Sequence, residues 1–148
     1  MQLLRKVASF GTNEDELKNI YLLFIRSVLE QSATVWHSTL TEDNKNDLER
    51  VQKTALKIIL GEKYQNYQKA LDRLDILNLS DRRDQLCLNF ARKNLKNPKT
   101  KKMFPINDKT GHMATRQAEK FKVQHANTDR LRNSSLIFMQ NMLNKNEN

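Results

Sequence analysis

Four aspartates stand at helical i, i+3 spacing, Asp72 with Asp75 and Asp81 with Asp84. Clustered carboxylates are what two-metal nucleotidyl transfer needs, because they hold two divalent ions about 4 Å apart. Here Arg73, Arg82 and Arg83 lie among them, so surface ion pairing is the better account. No two aspartates are adjacent anywhere in the chain. His37, His112 and His125 have no cysteine partners at zinc-finger spacing, and the one cysteine, Cys87, excludes an internal disulfide. Cys87 falls in an apolar helical pattern, which fits a buried structural thiol. There is no Gly-rich phosphate loop and no recognisable Ser-His-Asp arrangement. The expectation is a protein that is not an enzyme and binds no metal or cofactor.

The cations are more informative. The formal charge is +9, yet residues 1–61 carry 8 basic and 8 acidic side chains, while residues 92–132 carry 12 basic and 3 acidic. The surplus is therefore gathered in one stretch, which favours an anionic partner, nucleic acid before membrane. Arg92, Lys93, Lys96, Lys99, Lys101 and Lys102 run along and just past a helix C-terminus. Arg116, Lys120, Lys122, Arg130 and Arg132 carry the charge onward, and Arg82 with Arg83 is a second candidate pair. Phosphate contacts by these groups give sequence-independent affinity for an RNA or DNA backbone. The rival readings are a solvated helix end that complements the dipole and, for Arg82 and Arg83, local pairing with Asp81 or Asp84. Phe104 and Phe121 are the aromatics available for base stacking, though packing onto the core suits both better.

Helices must position these residues. With Gly 3 and Pro 2, the turns that a strand-rich fold needs are missing. A short helix ends before Gly11, and Asn13 with Glu16 resembles a capping box for the next. That helix, over 17–29, carries Leu17, Ile20, Tyr21, Phe24 and Val28 on one face and Leu22, Leu23, Ile25 and Leu29 on others. A helix apolar nearly all round is central, or it packed on a neighbour. Residues 34–40 are ambiguous, with Trp36 as an apolar anchor. Thr41 caps a helix whose stripe is Leu48, Val51, Ala55, Ile58 and Ile59, with Lys45, Glu49, Arg50 and Lys53 solvated and Gly61 as its stop. A helix over 66–74 offers Ala70, Leu71 and Leu74. The next, capped by Asn78 or Ser80, turns Leu79, Leu86, Cys87, Phe90 and Ala91 inward and ends by Pro98. Periodicity is then lost to residue 133. A last short helix, capped by Ser134 or Ser135, presents Leu136, Met139, Met142 and Leu143, with 144–148 frayed.

Taken in order, Ile20-Tyr21, Phe24-Ile25-Arg26-Ser27-Val28-Leu29-Glu30, Val35-Trp36-His37-Ser38, Leu48-Glu49-Arg50-Val51-Gln52-Lys53 and Ala55-Leu56-Lys57-Ile58-Ile59-Leu60-Gly61 resemble the region after the palm in non-LTR (LINE, jockey-like) retrotransposon reverse transcriptases. The similarity continues through Tyr64, Tyr67, Ala70-Leu71, Leu79, Arg82-Arg83, Leu86-Cys87, Phe90-Ala91 and Phe104-Pro105. It closes on Arg132-Asn133-Ser134, Met139-Gln140 and Leu143-Asn144. It spans about residues 14–144. Leu136-Ile137 departs from it, standing where a proline-containing dipeptide is expected. The resemblance implies a helical thumb-like domain beside a template–primer duplex, followed by a C-terminal extension. The family's RNA-directed DNA polymerase motif, aromatic-x-Asp-Asp, and its endonuclease module are absent from this sequence.

The expected architecture is all-α: a small bundle of four or five helices, with residues 1–97 as the thumb-like domain. Residues 98–148 form a basic, mostly irregular extension ending in a short helix. The expected function is nucleic-acid backbone binding by a catalytically inert fragment of such a polymerase. The alternative is a helical protein–protein interaction module, docking on a polymerase core or self-associating through the 17–29 helix. No apolar run reaches the roughly 20 residues a membrane span needs, and no secretory signal opens the chain. The expected location is thus intracellular, cytoplasmic or nuclear.

Overall fold

A computed structural model describes residues 1–107 and 121–146. The fold is all-α, and among the described residues there is only one isolated antiparallel bridge, Ile106 with Phe121. The helices are α1 (Gln2–Ala8), α2 (Glu14–Ile20), α3 (Ser27–Glu30), α4 (Ala33–Trp36), α5 (Glu42–Leu60), α6 (Tyr67–Leu74), α7 (Leu79–Lys96), α8 (Asp129–Arg132) and α9 (Ser135–Asn146). A π-helical stretch, Tyr21–Arg26, joins α2 to α3 without a break. The ambiguous 34–40 segment resolves into α4 followed by a 3-10 turn, His37–Thr39.

Local chemistry explains where the helices start and stop. Asn13, Thr41 and Asn66 each accept a hydrogen bond from the backbone N–H three residues on, satisfying donors that a helix leaves open. Asn78 does the same for α7: its Oδ1 accepts from Asp81 N at 2.8 Å, and its amide donates to Asp81 Oδ2 at 2.7 Å. Gly61 ends α5 at φ 50°, a backbone state that disfavours a side chain. α6 stops at Asp75, a non-glycine residue in the left-handed region at φ 49°. Asp75 N donates to Asp72 O and Ile76 N to Leu71 O, the two bonds of a Schellman motif, with Ile76 buried beneath.

The chain forms two compact units, Met1–Ala33 with Leu40–Arg83, and Thr34–Thr39 with Asp84–Asn148. This grouping follows compactness, whereas the sequence division at residue 97 followed periodicity. In the first unit α1, α2 and α6 pack on α5. Leu4, Leu17, Tyr21, Ala55, Leu56, Ile59, Leu71 and Leu74 form its core. The buried face of α5 centres on Gln52, Leu56, Ile59 and Leu60, so the expected stripe is rotated, with Leu48, Val51 and Ile58 only half-buried. A polar residue can occupy that centre because both ends of its amide are used. Tyr21 donates its hydroxyl to Gln52 Oε1 at 2.7 Å, and Gln52 Nε2 donates to Leu77 O at 2.9 Å.

The core of the second unit is Cys87, Ala91, Phe104, Phe121, Met139 and Leu143. Cys87 is buried as its apolar pattern indicates, and both phenylalanines pack inward, which removes them as stacking platforms. Phe90 is a correction, since it is 42% exposed instead of facing in. The expected fraying from residue 144 is also corrected. Asn144 is buried, accepts from Phe121 N at 2.8 Å and donates to Phe121 O at 3.0 Å, extending α9 to Asn146.

Candidate functional site

The aspartate pairs do not converge. Asp75 is the helix stop already described, Asp72 accepts from Gln68, and Asp81 belongs to the Asn78 cap. Asp84 accepts from His37 Nε2 at 2.7 Å, so that nitrogen carries the proton. His37 is buried, with its ring edge-on to Phe138 at 5.5 Å. Among the described residues there is no group of three or more histidine, cysteine, aspartate or glutamate side chains able to hold a metal ion. His112 lies outside the described residues.

Arg73 and Arg82, beside these aspartates, pair elsewhere, which corrects the local pairing expected of them. Arg73 reaches Glu14 at 3.2 Å, and Arg82 Nε reaches Glu30 at 3.3 Å. Lys63 also bonds Glu14, and this contact, with Arg73, holds the Glu14 carboxyl below its ordinary range despite some desolvation. The Lys63, Lys69 and Arg73 side of the first unit lines a cavity of about 220 Å³, but Glu14 neutralises part of its charge. Glu49, expected to be solvated, is half-buried. It accepts from Tyr67 OH at 2.8 Å and from Leu79 N and Ser80 N, both at 3.3 Å, so it caps α7 from a distant helix. Burial, reinforced by the bond to Glu49, pushes the Tyr67 phenol well above its ordinary value, and burial does the same to Tyr21.

Among the described basic residues singled out, Arg83 is removed. It is 0% exposed, so its guanidinium cannot meet a phosphate at the surface. Its position explains this: Arg83, Cys87 and Ala91 recur at i, i+4, i+8 on the buried face of α7. Arg82 is half-buried against Glu30. Arg92, Lys93 and Lys96 are all exposed and fall within about 100° of arc on α7, opposite Cys87 and Ala91. Lys99, Lys101 and Lys102 follow on the surface, the last two in a 3-10 turn, Lys101–Met103. Lys122 is exposed and lines the same cavity as Lys102, twenty positions away. Arg130 and Arg132 are exposed on α8, about 200° apart, and Arg132 bonds Asp129 at 2.9 Å. They do not share one face. Arg116 and Lys120 lie outside the described residues.

Charge divides with compactness. The unit Met1–Ala33 with Leu40–Arg83 has 13 basic and 12 acidic side chains, net +1. The unit Thr34–Thr39 with Asp84–Asn148 has 13 basic and 5 acidic, net +8. No helix among the described residues is long and apolar enough to cross a membrane. The helical run 14–30 leaves Leu23, Phe24 and Val28 each more than 60% exposed. Comparison of the chain with protein-family models, curated proteins and solved structures gives no match.

Proposed function

We propose that this chain is a nucleic-acid backbone-binding helical domain without bond-making chemistry, a fragment akin to the region after the palm of a non-LTR reverse transcriptase. The observation that carries this reading is the segregation of +8 into one compact unit, with Arg92, Lys93 and Lys96 on one exposed face of α7. Ammonium and guanidinium groups on a surface lose little hydration when they meet phosphate, and released counterions drive the association. The family assignment rests on the ordered motifs in the sequence. The binding reading rests on charge and exposure, and stands without it.

The test is titration of the full chain with fluorescent single-stranded RNA and a structured RNA at several salt concentrations. Binding should weaken steeply with salt. Replacing Arg92, Lys93 and Lys96 with glutamine should lower the log–log salt slope on a single strand by about 2, from roughly 0.7 per phosphate contact. Salt-insensitive binding, or none at low salt, overturns the reading.

A second reading has its own observation. Leu23, Phe24 and Val28 form an exposed apolar stripe, the kind of surface a protein partner covers. Size-exclusion chromatography decides it. A dimer that Phe24→Asp dissociates supports self-association, and a monomer at high concentration rejects it.

A further inference from the structure

Gln140 of α9 is almost wholly buried, and its amide ties two stretches of chain together. Its Nε2 donates to Met103 O at 2.9 Å, and its Oε1 accepts from Gln124 N at 3.1 Å. Lys122 N donates to Pro105 O at 2.8 Å beside the Ile106–Phe121 bridge. These bonds fix the walls of a cavity of about 330 Å³. Met103, Pro105 and Leu136 line it with apolar groups, and Lys102 and Lys122, both exposed, line it as well. That volume lies near the bottom of the roughly 300–1,000 Å³ range of small-ligand sites, whose pattern is also apolar walls with a few polar groups.

An apolar seat with two cations accepts a flat apolar ring carrying anionic groups. The cations Lys99 and Lys101, near in sequence and exposed, exceed what one small anion needs and suit a chain of phosphates. We propose that the cavity takes one unstacked base of a bound single strand. The ring lies against Met103, Pro105 and Leu136, and the flanking phosphates lie on Lys102 and Lys122. Contact with the face of the ring tolerates any base, so the seat adds affinity without sequence readout. This inference rests on the backbone-binding reading and deepens it by naming an unpaired strand as the ligand.

The test measures the full chain by fluorescence anisotropy, at one low salt concentration, against two labelled strands of equal phosphate number. One carries thymine throughout and the other is abasic. The thymine strand should bind several-fold more tightly, because only it can seat a base in the cavity. Leu136→Ala and Met103→Ala, which strip the apolar wall, should each bring the ratio close to one. The exposed Met103 keeps the test valid should Leu136→Ala fail to fold. Equal binding of both strands by the unaltered chain overturns this inference and leaves the backbone reading standing. So does a ratio that survives both substitutions. Binding of neither strand overturns both readings.

Discussion

Gln52 and Tyr21 share the centre of the first unit's core, and neither has appreciable solvent contact. Gln52→Leu keeps the volume but strands the Tyr21 hydroxyl and the Leu77 carbonyl in an apolar interior. It should destabilise the first unit by about 2–4 kcal/mol, read as a lower urea midpoint. Adding Tyr21→Phe should cost less than the two single changes summed, because one orphaned group disappears. The phenols also set a pH limit. Burial raises Tyr67 and Tyr21 above the ordinary value of 10.0, so the folded state keeps them neutral while an unfolded chain ionises near 10. Their contribution is complete below that value and is lost as pH rises beyond it. Tyr67→Phe should therefore flatten the alkaline fall in stability measured by circular dichroism. No sequence pattern singled out Gln52, because a polar residue on a helix is placed outward unless its partner is known, and Tyr21 is 31 positions away.

At the scale of elements, α6 ends on a strained residue. An L-residue in the left-handed region costs about 1–2 kcal/mol, somewhat less for aspartate, and glycine adopts it freely. Asp75→Gly should thus stabilise the first unit by about 0.5–1 kcal/mol after the added entropy of the unfolded chain, seen as a higher melting temperature. α7 begins under two caps, Asn78 from its own sequence and Glu49 from α5. Glu49→Ala should destabilise by about 2 kcal/mol, since it leaves backbone donors and the buried Tyr67 hydroxyl without an acceptor. Urea denaturation measures it, and Asn78→Ala, removing one cap bond, should cost about half as much. The Asn78 cap was legible in the sequence because it is local. The Glu49 cap was not, because its donors lie about thirty positions away.

Across the whole molecule, charge and chemistry separate. One unit spends its polar groups internally: Glu14, Glu30 and Glu49 each accept from groups distant in sequence, and its net charge is +1. The other leaves Arg92, Lys93, Lys96, Lys99, Lys101, Lys102 and Lys122 on its surface. Backbone hydrogen exchange with and without a bound strand should therefore show added protection within Asp84–Asn148 and little change in Leu40–Arg83. The reverse pattern would place the strand off the basic unit and overturn the reading built on Arg92, Lys93 and Lys96.

The sequence by itself determined the helical class, the caps at Asn13 and Thr41, the choice of Asn78 or Ser80 for α7, the stop at Gly61, and the region where positive charge accumulates. Each of these depends on residues within a turn or two, or on composition alone. Tertiary structure alone decided that Asn144 locks the last helix, that Glu49 caps α7, and that Lys102 and Lys122 come to one cavity. Those outcomes depend on which distant group a side chain meets once water is excluded, and local spacing carries no record of that.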